Sequence, residues 1–130
     1  MTAEEDFVEA FVVRLRRERW AASLNERRQR NKLLERLWDA GRDWDDRYVT
    51  TLHLSGKRDE QHRKIISELE ARGAGPTVHI LATSDDLDGQ EMPLAEALDH
   101  FADYGGAVLI CGPHLALHLW EAGDPLLLAR

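Results

Sequence analysis

The sequence predicts an α+β fold: two or three N-terminal helices, then a β-α-β-β-β unit whose small mixed sheet is covered by helices on one face. Three observations carry this. Apolar residues from Phe7 to Trp38 recur at helical spacing. From Thr77 onward, short β-branched or leucine-rich runs alternate with Gly, Pro and Asp turns. The length, 130 residues, suits one domain (1–130), with a helical segment over about 3–40 and an α/β portion over about 58–130.

Thr2-Ala-Glu-Glu5 is a capping box, and the acids Glu4, Glu5 and Asp6 suit the positive end of a helix dipole. Phe7, Val8, Phe11, Val12 and Leu15 form one stripe, which resumes at Trp20 and Leu24. It fails across the polar run Asn25–Lys32 and returns as Leu33, Leu34, Leu37 and Trp38. Two helices fit, or one long helix with an exposed or bent middle. Ser23 or Asn31 is a candidate cap for the second, and Gly41 a candidate stop. Tyr48–Leu54 reads equally as a short strand or an ordered loop. A helix follows over about Asp59–Arg72, with His62, Ile65, Ile66 and Leu69 inward and Gly73 ending it. Thr77–Ala82 is a strand. After the turn Ser84–Gly89, Pro93 opens a helix carrying Leu94, Leu98 and Phe101, which runs to Gly105-Gly106. Ala107–Cys111, Leu115–Trp120 and Leu126–Ala129 are three further strands joined by turns at Gly112-Pro113 and Glu121–Asp124. The helix between the first two strands of this unit permits a parallel, right-handed crossover.

Charge is segregated. Seventeen Lys+Arg against 24 Asp+Glu give a net charge of −7. Residues 1–13 hold four acids and no base, whereas residues 14–36 hold nine bases against three acids. The acidic total weakens generic nucleic-acid or membrane-surface binding, and the basic block preserves a local version of it. No apolar run is long enough to span a bilayer. The acidic start does not read as a secretory leader, and the single cysteine forms no internal disulfide. A cytoplasmic setting is the expectation.

Four constellations hold candidate chemistry. Asp85, Asp86, Asp88 and Glu91 form an acidic turn that imitates a calcium loop but has Ser84 at its first position and Ala95 at its twelfth. It reads as a partner-facing acidic surface. Trp38, Trp44 and Tyr48 mix aromatics with charge, as interface anchors do, or else Trp38 and Trp44 plug the end of the helical core. Arg14, Arg17, Arg27, Arg28, Arg30 and Lys32, with Arg16, Arg19 and Arg36 among them, offer phosphate contacts without a recognised nucleic-acid motif. Cys111, His114 and His118 supply three zinc-type donors where a structural site takes four, so no metal or cofactor is assigned; a buried structural cysteine is the simpler reading. Phosphate-binding glycine loops, zinc-protease helices and nucleophile elbows are missing, so no catalytic residue is assigned and an enzyme is the less favoured class.

The C-terminal half resembles a group of short bacterial proteins with no established activity. The resemblance rests on Arg72-Gly73-Ala74, Val78-His79-Ile80, Ser84, Leu87–Leu94, Ala97-Leu98, Cys111–Ala116 and Trp120-Glu121. It is thinner at Arg14-Leu15-Arg16, Arg19-Trp20 and Leu33-Leu34. It implies a bacterial origin and a single domain, and carries over no functional residue.

The leading expectation is a non-enzymatic protein-binding module, most concretely an immunity- or antitoxin-type neutraliser acting through its acidic surface on another protein. The alternative is a nucleic-acid-associated regulator using residues 14–36, and the third an enzyme of unrecognised type. A homodimer is compatible with each, and a membrane partner is not expected.

Overall fold

The computed structural model describes residues 2–40, 43–101 and 105–130, and the fold is given for those. Thr2 caps the first helix: its Oγ1 accepts the Glu5 amide at 3.1 Å, with Glu4, Glu5 and Asp6 in the first turn. This helix, α1 (Ala3–Phe11), buries Phe7, Val8, Ala10 and Phe11. It stops earlier than the apolar spacing implies. Val12 and Val13 leave helical backbone, and bonds to the segment 43–45 replace the helical ladder: Val13 N to Asp43 O and Asp45 N to Phe11 O, both 2.8 Å. Leu15, which prolongs the stripe in sequence, is consequently 98% exposed.

A 3-10 turn leads into α2 (Arg17–Leu24), followed by α3 (Arg27–Leu34) and a second 3-10 turn at Glu35–Trp38. The break falls at Asn25-Glu26. Neither Ser23 nor Asn31 caps α3; the Glu26 carboxylate does, accepting the Arg28 and Gln29 amides. The candidate stop at Gly41 lies outside the described residues.

The remaining elements are β1 (Val49–Thr51), α4 (Arg58–Ala71), β2 (Thr77–Ala82), β3 (Glu91–Pro93), α5 (Leu94–His100), β4 (Ala107–Gly112), β5 (Leu115–Leu119) and β6 (Leu126–Ala129). Gly73, at φ +91°, closes α4, with its amide on Glu70 O and that of Ala74 on Leu69 O. The strands form one sheet in the order β1-β6-β5-β4-β2-β3.

The α+β class is what the structure has, but two details differ from the sequence expectation. The sheet is antiparallel at every pairing, not mixed. The cause is β3. Glu91–Pro93 turns back along β2 before α5 begins, and this additional pass reverses the direction in which β4 enters. Pro93 is the last residue of that edge strand, where its missing N–H costs no ladder bond. Helices also cover both sheet faces, not one. Leu81, Val108, Ile110, Ala116 and Leu128 pack under α1, α2 and α3. The alternate residues Val78, Ile80, Leu109, Leu117 and Leu127 pack with Ile65 and Leu69 of α4 and Leu94 and Leu98 of α5. Strands buried on both faces read as continuous apolar runs rather than alternating ones, which is why β4 to β6 show no polar stripe. Both sheet edges are three-residue strands, a length that discourages strand addition by a second copy.

Gly106 adopts φ +89°, and a Cβ built there would lie 2.5 Å from the Trp38 ring. Both the backbone conformation and the contact reject a side chain. Gly106→Ala should lower stability by about 1–3 kcal/mol, read as a shift in urea midpoint; an unchanged midpoint would refute this packing.

Candidate functional site

Arg30 on α3 is the centre of the charged site. Its Nη1 and Nη2 donate to the two oxygens of Glu4 on α1, at 2.6 and 2.8 Å. Its Nε and Nη2 donate to the two oxygens of Asp88 in the β2–β3 turn, at 2.7 and 3.0 Å. One planar guanidinium thus clamps two carboxylates bidentately. Asp88 Oδ1 also accepts the Ala82 amide, and Glu4 Oε2 lies 2.7 Å from His79 Nε2 on β2. A carboxylate only accepts, so His79 carries its proton on Nε2. Burial pushes the Glu4 carboxyl up, but hydrogen bonds from Arg30 and His79 more than offset this and hold it at about 2. Glu4 is therefore ionised at neutral pH.

Beside this clamp, α1 and α2 enclose a groove of about 620 Å³. Its floor is apolar (Val8, Ala21, Leu24), and Glu5, Glu9 and Glu18 surround it, all exposed. Arg17 is the only cation among its lining residues; its Nε is bonded to Val12 O and it lies 3.9 Å from Glu9. Glu4 and His79 form one end. Glu91 on β3 stands directly across from His79 in the ladder, so its side chain shares that sheet face and extends the negative rim. Two acidic segments distant in sequence, 4–9 and 85–91, meet here because Arg30 ties them together.

The sequence-derived residues divide accordingly. Asp85, Asp86 and Glu91 are exposed. Asp88 is not part of a free acidic surface, since both its oxygens are used inside the clamp. Trp44 is likewise no exposed anchor: it is 3% exposed and packs edge-on against Phe7 and His118, as a core aromatic. Trp38 is half-buried, with its indole N–H on Thr83 Oγ1 at 3.3 Å. Tyr48 is half-buried, with the guanidiniums of Arg47 and Arg130 at 5.1 and 4.9 Å from its ring centroid. Of the basic residues, Arg14, Arg27, Arg28 and Lys32 are exposed. Arg30 is withdrawn from any nucleic-acid surface by its two carboxylates, and Arg17 is turned onto backbone. The sequence reading missed Glu5, Glu9, Glu18 and His79. A signal existed: Glu5 and Glu9 are like charges one turn apart on the exposed side of α1, an arrangement unfavourable to the helix itself.

Cys111, His114 and His118 do not converge. The Cys111 thiol lies on the α4/α5 face of the sheet, where burial raises it to about 12. His114 is in an exposed turn. His118 points into the opposite face and is fully buried. Its Nδ1 accepts the Trp44 indole N–H at 2.9 Å and its Nε2 donates to Leu37 O at 2.7 Å. These bonds define one neutral tautomer, and burial lowers the imidazole to about 4. Among the described residues no group of three or more His, Cys, Asp or Glu side chains is placed to hold a metal ion.

Two outcomes follow from these contacts. Arg30→Met leaves two mostly buried carboxylates without their cation and should cost about 2 kcal/mol, below the fully buried range because the partners keep some solvent. Equal urea midpoints for Arg30→Met and the native chain would contradict the clamp. The second is pH dependence. The folded His118 stays neutral where the unfolded one, near 6.5, binds a proton. Its penalty is absent above pH 6.5 and grows as pH falls towards 4, by up to about 3 kcal/mol. Glu4 adds a loss in the same direction below 4.5. The urea midpoint should fall steadily from pH 6.5 to 5, and His118→Gln should flatten that slope; identical slopes would refute the neutral, buried imidazole.

No protein-family model, curated protein or solved structure matches this chain.

Proposed function

We propose that the protein is a non-enzymatic binding module that captures a basic segment of another protein in the groove between α1 and α2. An immunity- or antitoxin-type neutraliser in a bacterial cytoplasm is the most concrete form of this reading. The observation that carries it is the pairing of an apolar floor with an acidic rim. Lysine and arginine side chains lay their methylene stems on apolar surface and keep the charged head in polar surroundings. Val8, Ala21 and Leu24 suit the stems; Glu5, Glu9 and Glu18 suit the heads. The volume of about 620 Å³ falls within the roughly 300–1,000 Å³ of sites that enclose a drug-sized group, which is room for large basic side chains. Asp85, Asp86 and Glu91 extend the negative field beyond the groove and would steer a cationic partner towards it.

The same groove supports an enzyme less well. Its carboxylate–imidazole pair is Glu4 with His79, and Glu4 is already engaged by Arg30, so it is a poor proton acceptor.

The test uses a synthetic amphipathic peptide with lysine or arginine every third or fourth residue, beside its glutamine-substituted counterpart. Calorimetry should show binding of the basic peptide only. The charge-reversed Glu5→Lys/Glu9→Lys/Glu18→Lys chain should bind at least tenfold more weakly, while Asp85→Lys/Asp86→Lys mainly slows association. In nuclease-treated extract of the native cell, one protein held by the native chain should be lost with the triple variant. Equal binding of both peptides, or of the basic peptide by both chains, would refute the groove as the site.

A further inference from the structure

We propose that the cleft between α2 and α3 binds the terminal phosphate of a small phosphorylated molecule. It lies on the other side of α2 from the acidic groove: Glu18 and Ala21 face the groove, whereas Arg16, Arg19 and Ser23 face the cleft. The proposal does not depend on the peptide-binding reading.

The cleft is built around a buried carboxylate. Asp43, 4% exposed, accepts the Trp20 indole N–H at 3.1 Å and the Arg36 Nε and Nη2 at 2.7 and 2.8 Å; Arg16 Nε lies 3.3 Å away. Burial pushes the Asp43 carboxyl up, and Arg36, Trp20 and Arg16 together hold it below its ordinary value, so it stays charged. It therefore orients two guanidiniums at the wall of the cleft while using only part of their donors. The remaining N–H groups of Arg16 and Arg36 are left for an incoming acceptor. Arg19 and Lys32, both exposed, complete the wall without an acidic partner among the described residues. Ser23 and Gln29 add neutral donors.

Charge and size then select the ligand. Among the described lining residues four cations face one carboxylate, an excess of three positive charges, against which Asp39 acts on Arg36 from outside the cleft. A carboxylate ligand would balance one of them, and a phosphate monoester close to two, with oxygens for several guanidinium forks. The cleft, about 110 Å³, is well below the roughly 300–1,000 Å³ of pockets that enclose a whole ligand. It takes the charged end of a molecule and leaves the rest outside. A nucleic-acid backbone carries a single charge per phosphate and gains affinity from many contacts in a row. That track is interrupted here, because Arg30 on the same helix is held by Glu4 and Asp88.

Calorimetry on the full chain with inorganic phosphate and with pyrophosphate, at constant ionic strength in chloride, tests this. Saturable one-site binding is expected, tighter for pyrophosphate. Arg19→Gln/Lys32→Gln should weaken it at least tenfold with the urea midpoint unchanged, since neither side chain has an internal partner among the described residues. Arg63→Gln, the loss of one positive charge on α4 away from the cleft, should leave affinity within twofold. Saturable binding of neither anion would overturn the proposal, as would unchanged affinity in the double variant. So would displacement of pyrophosphate by an unphosphorylated oligonucleotide with a steep salt dependence, which would assign the cleft to a nucleic-acid backbone.

Discussion

Among the described residues two polar side chains are buried in the core, and the requirement that each be hydrogen-bonded places the N-terminal helices on the sheet. His118 projects from β5 into the α1–α3 layer and needs an acceptor and a donor there. The turn after α3 supplies the first through Leu37 O, and the segment after it supplies the second through Trp44. Asp43, one residue before Trp44, meets the same demand through Trp20 of α2 and Arg36. The indoles of Trp20 and Trp44 lie 5.3 Å apart at their centroids, with Phe7 against both. This aromatic group is therefore set in position by hydrogen bonds at both ends, which hydrophobic burial alone does not achieve.

The consequence reaches the surface. Once the segment 43–45 is bonded to the end of α1, the chain at Val12-Val13 must open from helix to extended backbone, and α2 starts in a new direction. That bend produces the groove between α1 and α2. On the far side of α2, the same Asp43 that satisfies Trp20 arranges Arg16 and Arg36. One helix thus separates an acidic groove from a basic cleft, and core packing decides where each lies. Arg30 prevents the two fields from being freely mixed. It brings the acids of α1 and of the β2–β3 turn together on one side and is itself consumed in doing so.

The antiparallel sheet shows how a small local element decides a global property. A three-residue strand, Glu91–Pro93, reverses the entry direction of every strand after it. Its short length and terminal proline give it little propensity of its own. It pairs because β2 is already buried on both faces and offers an open edge.

Much of the fold was legible in local chemistry. The Thr2 cap, the apolar faces of α1, α4 and α5, the glycine after α4 and the strands β2, β4, β5 and β6 follow from side-chain spacing and turn residues, which act over a few positions. The segregated charge was equally visible. Tertiary structure alone decided the rest. Whether Asp88 and Arg30 face solvent or each other depends on a contact between residues 58 positions apart. Whether Trp44 anchors a partner or the core depends on His118, 74 positions on. Which acids remain free for a ligand is set by which cations are used up inside. Sequence determines the inventory of charges and the local elements that carry them; only the folded packing, through long-range pairing and burial, determines which charges cancel and which remain for function.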